Sequence, residues 1–261
     1  MRPLLKSKKI GVFIPVRLGS KRLEKKHLIK INRKTLIEQL ISRLINSKFI
    51  NSENIILCTT LNKEDDILKD LANKNKVEIY RGDESDIIKR YYDAAIKYKI
   101  DLIVSVNGDN PLTSIEHMDK SIKKALESKQ KSYIVTQKDL PLGCSSYVFN
   151  IHTLKRIYQK YITKENDTGF IFYFTKTGLC QVIYTNKDKK IREHDKDIRL
   201  TVDYPDDIKL IKFIFMYFKE SKYFSIYEVL KFLNSNLNIL QINKHLEKDY
   251  WKRTKIKAKL Q

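Results

Sequence analysis

The stretch Ile10 to Val16 (IGVFIPV) most constrains what this chain can fold into. It is apolar, partly β-branched and without alternation, the pattern of a strand buried on both faces. It breaks at once into a loop carrying Arg17, Gly19, Ser20, Lys21, Arg22, Lys25 and Lys26. A strand covered on both faces implies a sheet between two layers of helices. In open sheets of that kind, ligands sit outside the carboxyl ends of the strands. The first unit of the chain therefore predicts an anion site at that edge.

The first half repeats the same unit. Lys34 to Lys48 places Leu36, Ile37, Leu40, Ile41, Leu44 and Ile45 on one face at helical spacing. Asn54 to Thr60, Val77 to Arg81 and Asp101 to Val106 read as further strands. Lys63 to Lys74, Asp86 to Tyr98 and Ile115 to Lys129 read as the helices between and after them. Repeated strand-then-helix units predict an α/β fold with a mostly parallel sheet sandwiched by helices and right-handed crossovers. The second half is less regular. Strands are expected at Lys131 to Lys138, Cys144 to Phe149, Gln181 to Tyr184 and Ile198 to Val202. Helices are expected at Ile151 to Tyr161, Asp167 to Lys176, Asp207 to Lys219 and Tyr227 to Leu233, with Pro205 suited to a first helical turn. No internal repeat or Pro/Gly/Ser-rich linker divides the chain. Residues 1–240 are expected to form a single domain, followed by a basic C-terminal tail, 241–261.

The chain has 261 residues and a net charge of +21, which invites a nucleic-acid reading. Several features set it aside. Lysine, isoleucine and asparagine are all abundant while glycine is scarce, a compositional bias rather than a patch. The lysines are spread through helices beside acids, and zinc-finger spacing, RNA-binding aromatic motifs and heptads are absent. Hydrophobic residues at 42% exclude disorder over most of the length. No apolar run reaches membrane-spanning length. The opening MRPLLKSKKIGVFIPV lacks a small-residue cleavage site and is not read as a leader. Cys58, Cys144 and Cys180, an odd and sparse set, fit a reduced cytoplasmic enzyme better than a disulfide framework.

Three segments carry candidate chemistry. The loop Arg-x-Gly-Ser-x-Arg-Leu-x-x-Lys is not a P-loop, because the glycine-lysine-serine/threonine ending is missing. It is not a dinucleotide fingerprint either, since only Gly19 follows the strand. Guanidinium groups bind phosphate bidentately and lysine adds a compact charge, so Arg17, Arg22 and a lysine suit a polyphosphate. Gly19 and Ser20 would let backbone amides approach its oxygens. A solvated basic loop is the competing reading. Asp109, in Asn107-Gly108-Asp109-Asn110-Pro111, follows a buried strand and faces the same crevice. A carboxylate beside basic groups suggests a nucleoside triphosphate with Mg²⁺, against an ordinary turn aspartate. Asp203, in Leu200-Thr201-Val202-Asp203-Tyr204-Pro205, offers a second carboxylate, or a helix cap. The five histidines, His27, His117, His152, His194 and His245, show no metal-ligand spacing.

These motifs resemble the spore-coat-polysaccharide branch of the cytidylyltransferases, a group similar to the CMP-ketodeoxyoctonate and CMP-sialic acid synthetases. The resemblance rests on Arg17 to Leu23, Arg81-Gly82 to Ala95, Asn107 to Pro111 and Arg199 to Ile208, in the family's order, over about Ile10 to Leu210. It implies a Rossmann-like nucleotidyltransferase fold related to the GT-A glycosyltransferases. It also implies CTP as donor, Mg²⁺ as cofactor, a sugar acid or related acceptor, and pyrophosphate as product, for surface polysaccharide synthesis. By motif, Arg17, Arg22 and Lys26 would hold the triphosphate, Pro15 and Val16 would edge the base pocket, and Asp109 and Asp203 would bind the metal. Arg81, Ser85 and Asp86 lie where the family shapes the nucleotide and acceptor pocket. A homodimer through Gln137 to Tyr184, on the acceptor side, is likewise implied. The chain departs from the pattern twice. Glu24-Lys25 stand where the family has Pro-Gly, so the working lysine is Lys25 or Lys26, with Lys26 preferred. Gly143 to Phe149 lacks the two acids usual there, which bears on the acceptor and keeps a non-catalytic nucleotide binder as an alternative. A nucleotide-sugar-dependent glycosyltransferase is a further alternative, weakened because Asn107-Gly108-Asp109 offers one acid where such enzymes place two.

Overall fold

The computed structural model describes residues 8–20, 22–161, 168–247 and 250. In chain order the strands are β1 (Ile10–Pro15), β2 (Lys30–Ile31), β3 (Lys34–Thr35), β4 (Ile55–Thr60), β5 (Glu78–Gly82), β6 (Leu102–Ser105), β7 (Tyr133–Thr136), β8 (Tyr147–Asn150) and β9 (Gln181–Tyr184). The helices are α1 (Leu36–Leu44), α2 (Ile67–Lys74), α3 (Ile87–Tyr98), α4 (Ile115–Glu127), α5 (Ile151–Lys160), α6 (Phe172–Thr175), α7 (Pro205–Tyr217), α8 (Ile226–Ser235) and α9 (Leu237–Leu240).

Seven strands form one sheet in the order β5-β4-β1-β6-β8-β7-β9. Only β8 runs against its neighbours, so the sheet is mostly parallel, as expected. The chain builds β4 and β5 to one side of β1, then crosses over to lay β6 on the other. The crevice between the ends of β1 and β6 is therefore a topological switch point, where open sheets hold ligands. The register pairs Gly11 with Ile103 and Phe13 with Ser105. The Val106 N–H then donates to the Phe13 carbonyl at 3.1 Å, carrying the pairing to the edge of the site.

The unbroken apolar character of β1 and β4 follows from their burial on both faces. On one face Val12, Ile14, Leu57 and Val104 pack with Leu40 and Leu44 of α1, Leu68 of α2 and Met118 of α4. On the other, Phe13, Ile56, Ile103 and Phe149 pack with Ile88 and Tyr91 of α3 and Leu154 of α5. Each such side chain contributes about 1.5–3 kcal/mol. The carboxyl edge of the sheet is rigid for that reason. A third apolar cluster joins Ile198, Leu200 and Val202 to Ile208 and Ile211 of α7 and Val229 of α8.

Two expectations are corrected. Ile198 to Val202 is extended and buried but is no strand of the sheet. Its backbone is stitched to Leu142, whose N–H donates to the Ile198 carbonyl at 3.0 Å and whose carbonyl accepts from Leu200 N at 2.7 Å. Its end is stitched to Asp109, whose carbonyl accepts from Val202 N at 2.9 Å. Gly143 has φ +95°, and a Cβ there would stand 2.5 Å from Thr201 N, so the passing loop leaves no room for a regular ladder. The second correction is a two-strand hairpin, β2–β3, where no strands were expected. Asn32 and Arg33 both take positive φ, 48° and 68°, the hairpin-turn combination of left-handed residues. The helix expected over Asp167 to Lys176 is α6 preceded by a 3₁₀ turn, Thr168–Ile171, with Asp167 outside the described residues.

Candidate active site

The loop after β1 is anchored from beneath. Val16 N–H donates to the Cys58 carbonyl at 3.1 Å. Leu18 is buried, and its N–H donates to Asp65 Oδ1 at 2.8 Å. The other Asp65 oxygen accepts from the Thr60 hydroxyl, so a fully buried carboxylate ties the loop to the end of β4. The Leu18 carbonyl then accepts from Ser20 N at 2.8 Å and Lys25 N at 3.4 Å, closing the loop on itself. Lys25 takes the left-handed conformation, φ 47°. That is the backbone a glycine adopts at no cost, and it turns the next residue inward onto the 3₁₀ turn Lys26–Leu28.

Lys26 is the centre of the site. Its buried Nζ donates to Asp109 Oδ2 at 2.8 Å, to the Val202 carbonyl at 2.7 Å and to Asp203 Oδ1 at 3.1 Å. Burial pulls the ammonium toward the neutral form, but the charges of Asp109 and Asp203 outweigh it and leave its pKa above the ordinary lysine value. Asp109 is placed by backbone packing. A Cβ on Gly108 would meet the Pro15 carbonyl at 3.0 Å and His27 Cε1 at 3.1 Å, so a side chain there would push this turn a few tenths of an ångström off β1. His27 Nδ1 lies 3.2 Å from the Gly108 carbonyl. Burial first, and the Lys26 charge second, push the His27 pKa down to about 3, so the ring is neutral.

Asp203 is placed by charge. Arg22 donates to its Oδ1 at 2.5 Å, beside Lys26, and Arg199 donates to its Oδ2 at 3.1 Å. Arg199 also forks onto Asp207 through two contacts of 2.9 Å, and Asp207 accepts from the N–H groups of Asp203 and Tyr204 at 2.8 and 3.0 Å. Asn243 Nδ2 closes the network, donating to Asp207 Oδ1 at 2.8 Å and to the Arg199 carbonyl at 3.1 Å. Burial raises the Asp203 pKa, and Lys26, Arg22 and Arg199 together drive it below the usual carboxylate range.

The structure thus gathers Arg22, Lys26, Asp109 and Asp203 into one cluster. Pro15 ends β1 with its carbonyl beside Gly108, and Val16 after it is buried. Arg17 stands half-exposed on the rim, with its NH1 3.9 Å from Glu84 Oε1. Gly19 is exposed with the Glu64 side chain against it, and the Ser20 N–H is committed to the Leu18 carbonyl. Lys25 points outward and Lys26 inward. Arg81 donates to the Thr60 and Asn62 carbonyls at 2.8 and 2.9 Å and to Asp66, bracing the turn after β4. Asp86 caps α3 by accepting from Lys89 N at 2.9 Å and also accepts from the Tyr161 hydroxyl, while Ser85 is exposed. His194 lies 3.2 Å from Asn234 of α8. Asn243 and Tyr250 both pack against this network, the Tyr250 ring lying 5.0 Å from the Arg199 guanidinium. Sequence reading missed Asp65, Arg199, Asp207 and Asn243. The four-residue spacing of Arg199, Asp203 and Asp207 is the one signal that could have found two of them.

A mostly parallel sheet whose switch point holds a basic loop and two converging carboxylates has the architecture of a nucleotidyltransferase. The chain belongs to the cytidylyltransferase family, whose sequence profile matches residues 12–245. An uncharacterized protein of Methanocaldococcus jannaschii is 36% identical, with 92% of this chain and 97% of that one covered. The spore coat polysaccharide biosynthesis protein SpsF of Bacillus subtilis is 26% identical over 85% of this chain and 93% of its own. Among solved structures, a cytidylyltransferase from Leptospira borgpetersenii superposes with a TM-score of 0.79 at 29% identity, covering 90% of this chain and 97% of that one. The enzyme is a nucleotidyltransferase that carries out CTP-dependent cytidylyl transfer. Among the described residues, no helix is long and apolar enough to cross a membrane.

Proposed function

We propose that this enzyme transfers CMP from CTP to a sugar acid or related acceptor, releasing pyrophosphate, in the synthesis of a surface polysaccharide. The observation that carries the reading is the convergence of Asp109 and Asp203 on a single point, marked by Lys26 Nζ, beside Arg22. The kinship with SpsF supports the polysaccharide setting. Among the described residues no group of three or more His, Cys, Asp or Glu side chains could hold a metal alone. Two carboxylates suffice for Mg²⁺, which is commonly held by one or two carboxylates plus substrate phosphates. The donor set fits, with Asp109 and Asp203 as the protein ligands.

An acceptor oxygen attacks the α-phosphorus as the bond to the bridging oxygen breaks and pyrophosphate leaves. The bound metal would neutralise charge on the phosphates. The chain's own part is positioning and electrostatics. Arg17 and Arg22 lie where guanidinium groups can take the phosphate tail. Pro15, Val16 and Gly19, at and just past the end of β1, would edge the nucleotide pocket. Asp203 is held by Arg199 with one oxygen turned to the site. We place the enzyme in the cytoplasm, with CTP, and self-association on 137–184, which sedimentation of the full chain would test.

The deciding experiment is a screen of the four nucleoside triphosphates against sugar acids, sugar phosphates and alcohol phosphates, with Mg²⁺, reading pyrophosphate. CTP with one acceptor class should dominate. Equal use of all four triphosphates, or release only with alcohol phosphates, would overturn the reading.

A further inference from the structure

Lys26 presents a feature that phosphate binding does not explain. Its ammonium contacts the inner oxygens of both carboxylates, at 2.8 and 3.1 Å, and its third donor is taken by the Val202 carbonyl. All three of its N–H donors are thereby spent on the protein. A cation bound by Asp109 and Asp203 together must sit within about 2.1–2.6 Å of those same oxygens, the space the ammonium fills. Two cations cannot share it.

Resting on the metal-site reading above, we propose that Lys26 is a resident counter-cation that makes metal binding conditional on the nucleotide. Without ligand it neutralises the paired carboxylates. It leaves them only when a polyanion arrives to receive it, so the metal and the triphosphate enter together and neither binds well alone. Arg22, on the same Asp203 oxygen, turns to the phosphates with Lys26, while the far side of the cluster stays in place. Arg199 holds the far oxygen of Asp203 and Asp207 holds Arg199, so the carboxylate keeps its aim. The groups facing Lys26 are Asp109 and Asp203, with Arg22 on the same Asp203 oxygen and neutral His27 next in sequence. The flexible four-carbon stem of Lys26, rooted in the 3₁₀ turn, lets the ammonium swing within the loop that carries Arg17 and Arg22.

The test is Mn²⁺ binding to the full-length protein, followed by electron paramagnetic resonance, with and without CTP. The native enzyme should bind free Mn²⁺ weakly. Lys26→Gln should bind it at least about tenfold more tightly without nucleotide, the scale of removing a close like charge. Lys26→Arg, which keeps a cation, should stay weak. Unchanged or weaker Mn²⁺ binding by Lys26→Gln overturns the proposal even if CTP binds normally. If Lys26→Gln gains Mn²⁺ affinity but the native protein binds no nucleoside triphosphate, the counter-cation role stands and the nucleotide reading falls. Should Lys26→Gln unfold alone, recovery of its melting transition in millimolar Mn²⁺ supports the proposal, and failure to recover overturns it.

Discussion

The two carboxylates of the site are held by opposite means. Asp109 sits on a turn pressed against β1, where a side chain on Gly108 would be tight, and among the described residues its side chain has a single ionic partner, Lys26. Asp203 sits on an extended segment outside the sheet and is gripped by three cations, with Asp207 and Asn243 behind them. One is positioned by the shape of the backbone and the other by a buried charge network. The first kind of position survives loss of its own charge; the second does not survive loss of a neighbour's. A site built from both should therefore separate activity from stability, depending on which side is altered.

The largest effect should come from the charge network. Arg199→Met leaves Asp207 buried without its counter-ion and Asp203 with two of its three, and should cost about 3–5 kcal/mol in urea unfolding. Stability within about 1 kcal/mol of the native protein would mean the network does not hold Asp203. Asp109→Asn should leave the unfolding midpoint nearly unchanged. Pyrophosphate release should fall by about 10²–10³-fold, roughly 3–4 kcal/mol of barrier. Normal turnover by that variant would remove Asp109 from the metal site.

The backbone side has its own pH signature. His27 is held neutral, its pKa lowered from 6.5 to about 3. The unfolded chain binds this proton at a higher pH than the folded one, so stability is full above about 6.5 and lost as pH falls toward 3. The slope should approach about 1.4 kcal/mol per pH unit, and His27→Gln should flatten it in denaturant titrations across that window. Asn243→Ala, at the outer edge of the charge network, should cost about 1–2 kcal/mol. Lys25→Gly should stabilise by about 1 kcal/mol, since it relieves a left-handed residue of its side chain. Destabilisation by that change would show that the Lys25 side chain contributes more than its backbone costs.

The parallel half of the fold was legible because its strands are buried on both faces and each is followed by an amphipathic helix, so two periodicities alternate cleanly from Ile10 to Glu127. The fold beyond that was partly legible. Gln181 to Tyr184 read correctly as a strand, but Ile198 to Val202 did not, because an extended, buried, β-branched segment looks the same whether its partner is a strand or the single loop residue Leu142. The hairpin at Asn32-Arg33 was hidden because its strands are two residues each, too short for alternation to show. In the site, Asp109 and Asp203 could be singled out because each follows an apolar run. Lys26 was preferred on the family pattern, and the left-handed Lys25, standing where that pattern has glycine, is the physical reason Lys26 points inward. Arg199, Asp207 and Asn243 act through one another, and a buried network of that sort leaves no local mark beyond the spacing of 199, 203 and 207. Asp65 is invisible for a similar reason, since its partner Leu18 is 47 positions away.

Lys26 and Asp203 are 177 positions apart, and Asn243 lies a further 40 beyond Asp203, since 243 − 203 = 40. During synthesis the basic loop emerges early, and β1 can find β4 and β6 long before α7 exists. The second carboxylate and the asparagine that braces its network reach the sheet well after β6 has been made. A nascent or truncated chain can thus own a nearly complete sheet and an exposed cationic loop while lacking one of the two carboxylates. Completion of the site reports that the chain has been made past Asn243, so fragments ending before it would be folded in appearance and inert toward CTP.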